Sequence, residues 1–258
     1  MSPAMIPFID LQAQRARLGQ PLEDAILKVV RSGAYIMGPE IAQLEAALAA
    51  FGQAPHALSC ASGTDALVLP LMAWGIGPGD AVFCPSFTFA ATAEAVALVG
   101  ASPVFVDILP DTYNLDPATL EAAIQAVKSD LEGKTFDHDP KYLNMRVGMN
   151  SRMDTIQAAV LLQKLTIFAD EIGARNRVAA RYAEGLSDVV ATPQVIDGGV
   201  SVWAQYTIET DDRDGLGAAL REQGVPTAVY YPMPLHRQPP YAACPQPGGL
   251  PVTEAKAG

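Results

Sequence analysis

Cysteine is scarce: 258 residues hold three, Cys60, Cys84 and Cys244. The number is odd and no two stand in C-x-x-C spacing, which excludes a disulfide framework. They read as reduced thiols of a cytosolic protein. Histidine is equally sparse, and His56, His138 and His236 are too scattered for a metal site. His138, in "FDHDP", could bind a cation in principle, but a solvated loop is the plainer reading and no metal is expected. Basic residues are outnumbered, with 17 Lys and Arg against 28 Asp and Glu, a net charge of 17 − 28 = −11. Such a chain lacks the basic stripe that displaces counterions, so a nucleic-acid partner is excluded. Long apolar runs are missing too, and none approaches the ~18 residues of a membrane span. The opening "MSPAMIPFIDLQ" has no basic n-region followed by an apolar h-region, so a cytoplasmic location is expected.

What is present is apolar. Half of the chain is hydrophobic and 17% is charged, the balance of a packed globular protein of one large domain or two smaller ones. "PLEDAILKVVRSG" puts Leu22, Ile26, Val29 and Val30 at helical spacing and ends on Gly33. "GPEIAQLEAALAAFG" repeats the pattern with Ile41, Leu44, Leu48 and Phe51. His56 to Cys60 is strand-like, and a helix runs from about Asp65 to Trp74. "AVFCPS" (81 to 86) and "SPVFVDI" (102 to 108) are short buried strands with the helix "FTFAATAEAVALVG" between them. "GIGPGD" fails as a dinucleotide fingerprint because it precedes a strand rather than opening a helix. Asp116-Pro117 starts a helix that ends near Val127. Strands alternating with helices imply βαβ units, hence a parallel sheet covered on both faces. The pattern dissolves between Ser129 and Tyr142. Beyond it, 151 to 186 support one helix of ~50 Å, followed by strands in "SVWAQYTIET" and "VPTAVYYP" around the helix "DRDGLGAALREQG".

The informative detail is the break in "LSCASGTDALVL". A strand entering a helix through Ser62-Gly63-Thr64 leaves backbone N–H groups free at a helix N-terminus, where the dipole and a hydroxyl favour a phosphate. Gly63 permits close approach and Thr64 can donate from its side chain. A tight turn with a capping hydroxyl is the plainer reading. No Walker-type P-loop exists in the chain.

With that turn in place, "SGAYIMGPEIAQLE", "SCASGTDALVL", "GIGPGDAVFCPSFTFAATAEAVALVGASPVFVDI", "YNLDPATLEAAI" and "RVGMNSRMDTIQAAVLLQKL" together resemble the DegT family of pyridoxal-phosphate sugar aminotransferases, from Phe8 to about Leu250. Within that family the chain looks closest to enzymes that aminate a UDP-linked 3-keto sugar acid for bacterial surface polysaccharide. The resemblance implies the α/β type I aminotransferase fold: a three-layer α/β/α large domain plus a small C-terminal α/β domain. Those domains correspond to 1–150, shortened around 129–142, and to 151–258, which includes the long helix. The fold is used as a homodimer with shared active sites. Its cofactor is pyridoxal 5′-phosphate, and its substrates are a nucleotide sugar and an amino-acid donor such as glutamate.

Position by position, the resemblance gives Gly63 and Thr64 to the cofactor phosphate. Phe89 would stack on the pyridine ring, although by pattern alone it could be a core aromatic. Asn150 would reach the phosphate of the neighbouring subunit's cofactor. Arg152, otherwise a solvated charge at a helix start, would bind a carboxylate with its bidentate fork. Gly33, Tyr35, Tyr230 and Tyr231 would contact the sugar nucleotide. Close relatives carry His where Tyr230 stands, so the resemblance leaves the sugar specificity open at that position.

One part of the family pattern is missing. Transamination needs a lysine amine for a Schiff base and for proton shuttling, and a carboxylate on the pyridine nitrogen. The family supplies these from an Asp-x-Ala-Gln strand end and a Ser-Phe-x-Pro-x-Lys loop. Neither occurs here. Only about a dozen residues link 128 to 141, where several ~30-residue strand-helix units belong, so the large-domain sheet is expected to be incomplete. Lys128, Lys134 and Lys141 lie in or beside the seam without the flanking Ser, Phe and Pro. His138 does not fit the context of the family's dehydratases, which use His instead, yet a sugar dehydratase stays an alternative, decided by the residue that fills the absent lysine position. "EAKAG" stops in what looks like an opening helix, short of the family's last helices. Two origins fit: an aminotransferase that has lost a segment, or a shortened, catalytically silent paralogue that keeps binding or dimerisation.

Overall fold

The computed structural model describes residues 6–127 and 148–257. In chain order the elements are α1 (Leu11–Leu18), α2 (Gln20–Ser32), α3 (Pro39–Phe51), α4 (Gly63–Ala73), β1 (Ala81–Pro85), α5 (Ala91–Leu98), β2 (Ser102–Val106), α6 (Pro117–Val127), α7 (Thr155–Leu186), α8 (Arg213–Glu222) and α9 (Pro251–Ala257). Two 3-10 turns, Leu235–Arg237 and Pro239–Tyr241, precede α9. The chain forms two compact units, Met1–Ser59 with Arg152–Val229, and Cys60–Ser151 with Tyr230–Gly258. None of the described helices is long and apolar enough to cross a membrane.

The first unit packs α2 and α3 against α7. The α2 helix ends as its pattern requires: Gly33 has a φ of 68°, and its N–H returns to the Val29 carbonyl at 3.1 Å. Gly38 is needed for close approach, because a Cβ there would lie 2.6 Å from Thr155 Cγ2 and 2.7 Å from the Ala34 carbonyl. Its N–H donates instead to Thr155 Oγ1 at 3.1 Å. Of the predicted stripe on α3, Ile41 and Leu44 are buried, Leu48 is half-buried and Phe51 is exposed. Ile41 and Leu44 form a cluster with Ala158 of α7, bordered by Leu48, Leu161, Leu162 and Leu165, and Phe51 meets Phe168 at 5.4 Å. Lys28 Nζ reaches the buried carboxylate of Glu40 at 3.0 Å and lowers its pKa. The long helix begins at Thr155 rather than Ser151. Asp154 caps it by accepting from Gln157 N–H at 2.9 Å, and Asp154 also bridges to Ile36, holding 152–154 extended. Over 32 residues it is ~48 Å long.

Three strands expected from sequence are not formed. In 56–60 the Ser59 N–H is taken by Glu45 Oε1 at 2.9 Å, not by a neighbouring strand. In 201–210 the alternation is interrupted by Trp203 at a φ of 47°, and only a single bridge forms, between Ala191 and Glu209. In 225–232 Pro226 has no N–H to give. A strand persists only when a partner ladder satisfies its backbone groups, and none of these segments has one among the described residues.

The second unit keeps one βαβ unit. β1 and β2 are parallel, Ala81 opposite Ser102 through Pro85 opposite Val106, with α5 as the crossover and α4 packed on α5. The core holds Cys84, Ala93 and Phe105 with Leu235, Tyr241 and Leu250. Burial pushes the Cys84 thiol up to about 12, with a smaller contribution from Cys244.

At the end of β2, Asp107 caps α9 from far away in sequence. Its carboxylate oxygens accept from Val252 N–H at 2.9 Å and Thr253 N–H at 2.8 Å. Burial by itself would raise the Asp107 pKa, but the Val252 and Thr253 N–H groups, with further contributions from the Thr253 side chain and the Ile108 N–H, together make the net shift downward. Asp107→Ala should therefore cost about 1–2 kcal/mol at neutral pH. Because the folded pKa is depressed, this stabilisation is full above the unfolded value of about 3.9 and is lost as pH falls through the lower, folded value. Urea melts of wild type and variant at pH 7 and pH 3 check it, and a gap that fails to shrink in acid contradicts it.

Candidate functional site

The turn singled out in the sequence opens α4. Ser62 is the extended N-cap residue, and its hydroxyl accepts from Asp65 N–H at 3.1 Å. The Ser62 carbonyl accepts from Ala66 N–H at 3.1 Å. The hydroxyl is thus turned onto its own helix. Among the described residues, the N–H groups of Gly63 and Thr64 donate to nothing. Gly63 is exposed, and a Cβ built there would meet no atom within 4 Å. Two unused amide donors and open space at the positive end of an 11-residue helix suit a phosphate.

Asn150 is exposed and directly precedes the buried Ser151. The Ser151 carbonyl accepts from Ala61 N–H at 2.8 Å, and its hydroxyl donates to the Asp65 carboxylate. Asn150 is therefore one residue from a contact with the turn of its own chain. Phe89, on the loop after β1, is 64% exposed, so a core role does not account for it. Tyr230 and Tyr231 are half-buried and mutually edge-on at 5.7 Å. Tyr231 also meets Phe87 edge-on at 5.6 Å, and Phe87 stacks on Tyr113 at 5.7 Å. Lys256 Nζ lies 5.5 Å from the centre of the Tyr113 ring.

The remaining three predicted residues lie in the first unit. Gly33 has a structural task already, as the left-handed end of α2. The Tyr35 carbonyl accepts from Thr155 N–H at 3.0 Å, and Ile36 pairs antiparallel with Asp154. This brings the Tyr35 and Arg152 segments alongside each other. Arg152 is exposed and makes no ion pair among the described residues. Lys128, Lys134, Lys141 and His138 lie outside the described residues.

Sequence reasoning missed a buried polar group. Ser86, the last residue of "AVFCPS", lies 2.7 Å from His236 Nδ1, and His236 Nε2 lies 2.6 Å from Glu254 Oε1. Burial raises the Glu254 pKa, but hydrogen bonds and charge from Arg237 and His236 bring it below the usual carboxylate value. The available signal was a serine in an otherwise apolar strand end, whose hydroxyl finds its partner 150 residues away.

The parallel βαβ unit of β1, α5 and β2, with α4 packed beside it, belongs to the α/β type I aminotransferase fold with a short sheet. Solved structures agree. A DegT/DnrJ/EryC1/StrS aminotransferase from Brucella abortus matches with a TM-score of 0.91 and 41% identity, over 98% of this chain and 92% of that one. DesV from S. venezuelae matches with a TM-score of 0.88 and 29% identity, over 99% and 91%. The profile of the DegT/DnrJ/EryC1/StrS aminotransferase family matches residues 17–130 and 125–257, and the chain belongs to this family. Among characterised relatives, UDP-2-acetamido-2-deoxy-3-oxo-D-glucuronate aminotransferase of Pseudomonas aeruginosa is 39% identical over 98% of this chain and 93% of its own. The family's aminotransferases depend on pyridoxal phosphate, and the relatives of this chain include aminotransferases of nucleotide-linked sugars.

The alignment to the Pseudomonas enzyme spans 335 positions against a chain of 258 residues. The difference, 335 − 258, leaves at least 77 positions with no residue in this chain. The two profile matches meet at 125–130, where the lysine-bearing loop is missing from the sequence. Gly63, Thr64 and Phe89 remain candidates for the phosphate and the ring of the cofactor, whereas the flanked lysine that would hold it covalently does not occur in the sequence.

Proposed function

We propose that this chain derives from a cytoplasmic, homodimeric aminotransferase of a UDP-linked 3-keto sugar acid in bacterial surface polysaccharide synthesis, with glutamate as amino donor, and that it retains the binding half of that activity. The observation that carries this reading is the pair of unengaged N–H groups at Gly63 and Thr64 in a chain of this family. Those amides and the Thr64 hydroxyl hold the cofactor phosphate, Phe89 covers one face of the ring, and Asn150 completes the phosphate site of the partner subunit. Tyr35, Tyr230 and Tyr231 with Gly33 bind the sugar nucleotide, and Arg152 takes the carboxylate of sugar acid or donor. The bound cofactor, where a lysine is supplied, provides the electron sink for moving an amino group. The missing loop supports a second reading beside this one: a silent paralogue that binds sugar nucleotide or lends its interface to an intact subunit.

Separate titrations with pyridoxamine 5′-phosphate, which needs no lysine attachment, and with a UDP-sugar distinguish the two. Binding of both supports the first reading, and sugar binding without cofactor binding supports the second. Thr64→Val should weaken the pyridoxamine phosphate about tenfold, the worth of one hydrogen bond to a charged group, with no change in Tm. An unchanged affinity removes Thr64 from the site.

A further inference from the structure

Ser86 is fully buried and follows β1 directly. Its carbonyl accepts from Leu235 N–H at 3.0 Å, and its hydroxyl oxygen accepts from His236 N–H at 3.0 Å. A hydroxyl that accepts one hydrogen still has its own to give, and among the described residues the only acceptor on offer is His236 Nδ1 at 2.7 Å. In the neutral imidazole this leaves the ring proton on Nε2, where Glu254 Oε1 accepts it at 2.6 Å. Arg237 Nε donates to the same carboxylate oxygen at 2.7 Å and secures the far end. The order Ser-His-Glu is that of a hydrolytic triad, but a hydroxyl sealed from solvent and already accepting a backbone N–H is not a nucleophile.

The segments that this chain of bonds joins are the ones that carry the predicted site. Ser86 opens the loop bearing Phe87 and Phe89. His236 follows the stretch bearing Tyr230 and Tyr231, and the Phe87 and Tyr231 rings touch edge-on at 5.6 Å. We infer that His236 is a positioning residue: through Ser86 it sets the loop that presents Phe89 to the cofactor ring, and through Glu254 it fixes that setting to α9. The inference rests on the reading of Phe89 as cofactor-facing. A serine-histidine pair suits this task because each bond specifies a direction, whereas apolar packing alone would let the loop slide.

The test is a pyridoxamine 5′-phosphate titration of the full chain in two backgrounds, wild type and Phe89→Ala. His236→Gln should weaken binding about tenfold in the wild-type background and less than twofold with Phe89→Ala, because the positioned group is then gone. An equal loss in both backgrounds makes His236 merely structural and overturns the inference, as does no loss in either. Should His236→Gln fail to fold, Glu254→Gln keeps an oxygen opposite Nε2 and gives the same comparison: a loss confined to the wild-type background supports the inference, and an equal loss or none overturns it. Absence of binding by the wild type sinks the cofactor reading itself, and this inference with it. The hydrogen-bond order is checked without cofactor: nitrogen-15 spectra should show the His236 proton on Nε2, and a proton on Nδ1 of the neutral ring refutes it.

Discussion

Replacing Phe105 by alanine should destabilise the second unit by about 3–5 kcal/mol, the usual cost of deleting a large buried aromatic. The side chain is 0% exposed. It meets Tyr241 edge-on with ring centres 6.2 Å apart and lies 6.5 Å from the His236 ring. Its backbone N–H is tied to the Pro245 carbonyl at 2.8 Å, so the strand cannot move inward to close the hole, and the cavity term is kept in full. A domain stable by about 5–15 kcal/mol loses a large share of its margin. Urea denaturation gives the figure directly, and a loss under about 1 kcal/mol would mean that the site collapses freely.

The second large effect is chemical. Incubation with pyridoxal phosphate followed by borohydride should leave no stoichiometric adduct at any one lysine. Turnover of a UDP-linked keto sugar with glutamate should fall about 10⁶-fold or more below a lysine-bearing relative, the scale of enzymatic acceleration. A covalent catalyst needs an amine activated and aimed by its surroundings. Lys28 is committed to Glu40 at 3.0 Å, and Lys256 lies against the Tyr113 ring. None of the chain's six lysines has the Ser, Phe and Pro flanks of the family loop. Peptide mapping of the reduced protein decides the matter, and one modified lysine in full yield would restore catalysis to this chain.

Helices were legible because their information is local. The spacing of Ile41 and Leu44 located the buried face of α3, Gly33 marked the end of α2, and Asp116 caps α6 as its sequence suggests, accepting from Ala118 N–H at 2.9 Å. Strand propensity was a weaker guide. Residues 201–210 have the composition of a strand but no ladder beside them, and β-propensity describes fit to a neighbour more than a preference of the backbone. In the site, the turn at Gly63 and Thr64 could be read from small residues between apolar runs. The Ser86, His236 and Glu254 chain could not, because its first link joins residues 150 apart. Asp107 gave only the hint of a carboxylate ending a buried strand.

The reach from Asp107 to Thr253 spans 146 residues, and this has a consequence during synthesis. At about 5–20 residues per second, roughly 7–30 s pass between the ribosome's addition of the carboxylate and of the amides it will secure. Leu235, Tyr241 and Leu250 arrive in the same late interval, so Phe105 and its strand emerge into solvent without their cover. A nascent chain stalled anywhere in that window presents naked apolar strand to its neighbours, and chaperone capture or co-aggregation on polysomes is the expected fate.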